Sequence, residues 1–139
     1  MRMVNNTVYQ KYWTAARARK LFEEYRKLAR LVDDLDIRFW KRFVLRNCYR
    51  CHSIENELAE DRLRDEYKSC VSDLMLLRAR TNDVLDSISS LADRAVITDF
   101  YIRDMSIAEI MEKWDLKERE VQSMIQRGLM EANTPDEEE

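Results

Sequence analysis

Residues 92–129 read ADRAVITDFYIRDMSIAEIMEKWDLKEREVQSMIQRGL, and their apolar spacing decides the fold. Leu91, Ala95, Val96, Phe100 and Tyr101 predict a helix that ends near Arg103, with Asp104 and Met105 as its connection. Ser106 followed by Glu109 is the S-x-x-E pattern of a capping box, in which each side chain satisfies the other's backbone N–H. It opens a short helix with Ile107, Ile110 and Met111 on its apolar face, ending near Lys113. Trp114 to Lys117 form a turn. Val121, Met124, Ile125 and Leu129 then mark a last helix to about Met130, with Gly128 in it or at its end.

Two short helices about a four-residue turn, preceded by a longer support helix, make a helix-turn-helix. Ile107, Ile110, Leu116, Val121 and Met124 are expected to form one small core that fixes the interhelical angle. The last helix then presents Lys117, Arg119, Gln122, Ser123, Gln126 and Arg127 outward. Such a helix fits the DNA major groove, where Gln and Arg read base edges and Ser, Lys and Arg hold phosphates. Arg103 and Lys113 join Arg127 as expected phosphate contacts.

Upstream, Leu21, Tyr25, Leu28, Val32, Leu35 and Phe39 alternate spacings of 4 and 3. Tyr9, Trp13 and Ala16 extend the stripe backward and Phe43 forward. This is the coiled-coil-like seam of one helix from about Val8 to Arg46. Leu63, Tyr67, Cys70, Leu74, Leu77, Thr81, Val84 and Ile88 repeat the pattern in a second helix, with Ser53 as its N-cap. The connection, Asn47 to His52, is short, so the two helices form an antiparallel hairpin or half of an intermolecular bundle. Tyr67, Met75 and Leu76 widen the second helix's apolar face, which calls for a third surface from the C-terminal part or from a second copy. A homo-oligomer is expected.

The reading is therefore all-α: a long N-terminal helical hairpin over residues 1–88, a helix-turn-helix over 89–131 and an acidic disordered tail over 132–139. Composition agrees. The 139 residues hold one Gly and one Pro, too few for hairpin turns, so all-β folds and glycine-rich phosphate loops are excluded. With 45% hydrophobic and 37% charged residues, the charge reads as solvated helix faces rather than disorder. No run of about 18 apolar residues exists, so no membrane span is expected. The polar first ten residues show no secretory signal, and three cysteines fit a reducing cytoplasm.

Charge is uneven. Residues 1–52 carry 13 basic and 5 acidic side chains, a balance of +8, whereas residues 53–88 stand at −4 and 89–139 at −7. The basic third is either a polyanion-binding surface or the electrostatic partner of the acidic middle third. Phe39 to Arg50 interleaves Trp40, Phe43 and Tyr49 with Lys41, Arg42, Arg46 and Arg50, a mixture able to contact nucleic acid. It reads better as a core stripe with basic residues snorkelling over it.

Cys48-Tyr49-Arg50-Cys51-His52 spells C-x-x-C-H, the haem-attachment signature, but that chemistry belongs outside the cytoplasm. Cys48, Cys51, His52 and Cys70 comprise every Cys and His in the chain and are the zinc candidates. Against zinc, adjacent Cys51 and His52 rarely ligate one ion together, and Cys70 fits the second helix's seam. No metal or cofactor is expected. With one His and no phosphate loop there is no catalytic constellation, and the chain reads as no enzyme.

The stretch containing Arg94, Val96, Tyr101-Ile102, Met105-Ser106 and Glu109-Ile110, followed by Glu118-Arg119, Val121, Met124-Ile125 and Arg127-Gly128-Leu129, resembles region 4 of sigma-70 factors. More closely, it is similar to the sigma-like regulators of bacteriophage late genes of the RinA and ArpU type. The resemblance spans residues 86–131. It implies a phage or prophage transcriptional regulator in the bacterial cytoplasm, with double-stranded promoter DNA or RNA polymerase as partner. Asp115 stands where such proteins usually carry Gly, and Met111 where they carry a small residue. Glu118 and Glu120 make the last helix an electrostatically poor match to DNA. The alternative expectation is therefore a helix-turn-helix that docks a protein without reading DNA.

Overall fold

The computed structural model describes residues 2–48 and 54–132, with side chains over 14–44, 55 and 57–132. Five α-helices account for nearly all of them: α1 (Arg2–Cys48), α2 (Ile54–Asp86), α3 (Leu91–Ile97), α4 (Ile107–Trp114) and α5 (Glu118–Glu131). Among the described residues there is no strand, and the protein is all-α. No helix among them is long and apolar enough to cross a membrane. At 1.5 Å per residue, the 47 residues of α1 extend about 70 Å. Tyr9, Trp13, Ser53, the 49–53 connection and the 133–139 tail lie outside the residues whose side chains are described.

The chain forms two compact units, one of Lys27–Arg78 and one that joins α1 through Arg26 to everything from Ala79 onward. In the first unit the 4-3 seam is visible residue by residue. Val32 and Leu35 are buried, Leu28 and Phe39 half-buried, and from α2 Leu63, Tyr67, Cys70, Leu74 and Leu77 are half-buried. The Arg64 guanidinium lies 5.8 Å from the Phe39 ring centroid and bonds Glu60, a carboxylate on the buried side. Phe43, Met75 and Leu76 are exposed, so among the described residues the stripe fades before Phe43, and of the widened face of α2 only Tyr67 is partly covered.

In the second unit the stripe on α1 is wider than expected and shifted at its start. Ala15, Ala18 and Phe22 are buried beside Leu21 and Tyr25, whereas Ala16 is exposed. The C-terminal helices are the reason: Phe22 stacks on Tyr101 with ring centroids 5.3 Å apart, and Arg26 lies over the rings of both Phe100 and Tyr101. A second packing partner needs a wider apolar face than a two-helix seam. Thr81, Val84 and Leu85 from the end of α2, and Ile88 just after it, complete this core.

Ser90 caps α3 by accepting the Asp93 N–H. Arg94 reaches back to donate to the carbonyl of Asp86, which the end of α2 leaves open, and to that of Ile88 in the connection that follows. Leu91, expected on the apolar face, is 73% exposed at the first position of α3. After Ile97 the helix widens into a π-turn, Thr98–Ile102, in which the Arg103 N–H donates to the Thr98 carbonyl. The extra residue per turn resets the phase, and Asp99 and Tyr101 are both buried.

Burial, and after it the Glu23 carboxylate, raises the Tyr101 phenol above its ordinary 10.0. A phenol whose folded value is raised favours the folded state below the unfolded value and loses that contribution as pH climbs through the folded one. Stability is therefore expected to fall above pH 10, and to fall less in Tyr101→Phe. Denaturation at stepped alkaline pH, followed with the phenolate absorbance, checks this; equal losses in both proteins would contradict it.

Candidate nucleic-acid interface

Local chemistry builds the C-terminal elbow. The capping box at the start of α4 is complete: Ser106 Oγ accepts the Glu109 N–H at 3.2 Å, and Glu109 Oε1 accepts the Ser106 N–H at 3.1 Å. At the other end Asp115 takes the left-handed conformation (φ 53°, ψ 52°) that lets the chain reverse. Aspartate tolerates this region better than most residues, so the missing Gly is no obstacle. The Leu116 N–H donates to the Met111 carbonyl and closes the turn. Lys117 is extended, and its N–H donates to Glu120 Oε1 as α5 begins. The turn spans residues 115–117, one shorter than expected, because Trp114 is still helical.

A buried cluster of Val96, Ile110 and Val121 holds the elbow, with Ile107, Leu116, Met124, Met111, Ile125, Phe100 and Met105 packed on it. All five residues expected to form the wedge are there. The contributions of Val96 and Phe100 make α3 part of the same core.

Two buried carboxylates add what the sequence reading missed. Asp93 is fully buried in α3 and receives Arg127 Nε and Nη2, each at 2.9 Å, in a bidentate fork that ties α5 to α3. Asp99, 2% exposed, accepts Lys113 Nζ on both oxygens at 3.0 Å, Trp114 Nε1 at 2.7 Å and Arg103 Nη1 at 3.3 Å. A signal existed for the first: Asp93 lies three and four residues before Val96 and Ile97, so helical spacing puts it on the buried face.

The expected DNA-contact residues thereby divide. Lys117, Arg119, Gln122 and Ser123 are exposed, and the last three share one face of α5 at i, i+3 and i+4. Gln122 also donates to Glu118 one turn back. Gln126 is half-buried and accepts from Arg19 of α1 at 3.1 Å. Arg127 is bound by Asp93, whose hydrogen bond and charge raise the guanidinium above its ordinary value. Arg103 and Lys113 hold Asp99. Of the zinc candidates, Cys48, Cys51 and His52 lie outside the described side chains. Cys70 is a half-buried free thiol. Among the described residues no group of three or more His, Cys, Asp or Glu is placed to hold a metal.

Compared with known protein families, with curated proteins and with solved structures, the chain matches none.

Proposed function

We propose that the protein is a sigma-like transcriptional regulator of a phage or prophage that acts in the bacterial cytoplasm and binds promoter DNA through α5, with RNA polymerase as a second partner. The observation that supports this most is the asymmetry of α5. Val121 and Leu129 are buried and Arg127 is clamped, while Arg119, Gln122 and Ser123 stand exposed together. A rigidly held helix with Arg and Gln on its free face suits base-edge readout in the major groove.

The exposed Glu118 and Glu120 oppose phosphate approach, so non-specific affinity is low and specific contacts carry a larger share. They also favour the second reading, in which the acidic elbow docks a protein. The test is selection from a randomised duplex pool, followed by anisotropy titration of the enriched duplex against salt. Arg119→Ala with Gln122→Ala is expected to weaken specific binding about thirtyfold or more, since each bidentate base contact is worth about 1–3 kcal/mol. No enrichment at low salt, with a protein partner retained on the intact elbow, would replace the first reading by the second.

A further inference from the structure

In the unit Lys27–Arg78, Arg38, Lys41 and Arg42 of α1 and Arg62 of α2 line one open cleft of about 560 Å³. All four are exposed, and the lining includes a single carboxylate, that of Glu66. Arg38 and Arg62 stand next to the seam residues Phe39 and Leu63, where paired helices ordinarily set opposite charges across from each other. Here both helices bring cations. Carboxylates exist at this level of α2, yet Arg64 of α2 itself takes Glu60 at 3.3 Å and Asp61 at 3.6 Å. Asp34 takes Arg38 at 2.9 Å within α1. Among the described residues no carboxylate pairs with Lys41, Arg42 or Arg62. The acidic middle third therefore does not neutralise the basic third at this place. Like charges gathered beside a helix seam oppose its pairing, a local conflict of the kind that folds retain at functional sites.

From this arrangement we infer that the cleft between α1 and α2 binds the phosphodiester backbone of a nucleic acid, without regard to base sequence. A backbone suits it better than a lone anion, because the cations are spread over two helices around a space much larger than one phosphate. Arginine, three of the four cations, forks onto phosphate oxygens in pairs. Lys41 also borders the Trp40 ring, which is 54% exposed and packs edge-on against Phe39 and Phe43. An aromatic face beside a row of cations offers a base something to stack on, and an acidic peptide has no use for it. This contact is additional to that of α5 and does not depend on it.

Anisotropy of the full chain with a labelled duplex and a labelled single strand, both of random sequence, tests the inference across a salt series. With three phosphates held in the cleft, affinity should fall about fortyfold for the duplex and about twentyfold for the single strand between about 50 and 200 mM salt. Arg42→Gln with Arg62→Gln should lower the salt slope by about two. The same variant should unfold at no lower a temperature than the parent, because it relieves like-charge repulsion. Glu66→Gln should tighten binding about threefold, since it removes the carboxylate facing the phosphates. Trp40→Ala separates the two sources of backbone: a loss of about fivefold or more confined to the single strand names that form, and no loss names the duplex. Either result supports the inference. A slope that survives Arg42→Gln with Arg62→Gln but vanishes on Arg119→Ala with Gln122→Ala overturns it and leaves the role of α5 intact. The reverse pattern supports the cleft and removes that role. Absence of binding to either form at low salt overturns the inference, as does competition by polyglutamate equal to that by nucleic acid.

Discussion

Gly128→Val is expected to cost about 3 kcal/mol of unfolding free energy, the upper part of the range for overpacking a well-filled core. Gly128 lies in α5 where that helix presses on α3, and a Cβ there collides with Ile97 Cδ1 and touches Asp93 Cβ at 3.5 Å. Ile97 is fully buried, so its side chain has little room to turn away. Valine adds two methyls in this gap and a β-branched rotamer restriction in a helix. Gly128→Ala is the finer probe. It gains about 1 kcal/mol of helix propensity but must displace the same methyl, so the two effects nearly cancel. Ile97→Val deletes the colliding atom. Gly128→Ala with Ile97→Val is therefore expected to be more stable than the two single changes sum to, with a coupling of about 1 kcal/mol in a double-mutant cycle. Urea unfolding of the four proteins measures it. Strict additivity, or a Gly128→Val protein as stable as the parent, would mean that α3 and α5 do not meet here.

The same position shows what the sequence made legible and what it did not. Gly128 was readable only as a helical glycine near a C-terminus, since its reason lies in α3, some thirty residues away. The elbow itself was legible because its determinants are local: Ser106 with Glu109 starts α4, and the 3.6-residue rhythm of Ile107, Ile110, Val121 and Met124 states which side faces in. Along α1, Leu21, Tyr25, Val32 and Leu35 were legible for the same reason. Phe22 was not, because its burial comes from Tyr101, and one helix cannot announce a partner that arrives 79 positions later. Nor could it tell which part of α1 the C-terminal helices choose. The π-turn at Thr98–Ile102 hid Asp99 as well. Periodicity assumes an unbroken 100° step, and one inserted residue moves every later side chain to a new face. Arg103, Lys113 and Arg127 look like free cations in a string of letters, and only the tertiary fold supplies their carboxylates.

That difference leads to the second large effect. Asp99→Ala is expected to destabilise the protein by about 3 kcal/mol, because one buried carboxylate accepts from Lys113, Trp114 and Arg103. Of the donors, the Arg103 side chain is 62% and the Lys113 side chain 34% exposed, so both can turn to water. Trp114 Nε1 loses the partner that fixes its ring at the last turn of α4, immediately before the chain bends at Asp115. Asp99→Asn keeps the shape and an acceptor and should cost less. Arg103→Ala, which removes the longest and most exposed contact, should cost under about 1 kcal/mol. These changes also separate scaffold from interface. If Arg103 and Lys113 neutralised phosphates, replacing each would lower the salt slope of DNA binding by about one. As partners of Asp99 they hold the bend, so Lys113→Met should reduce stability while the slope stays with Lys117 and Arg119. A slope that drops on Lys113→Met with stability unchanged would return that lysine to the DNA surface and leave Asp99 to Trp114 and Arg103.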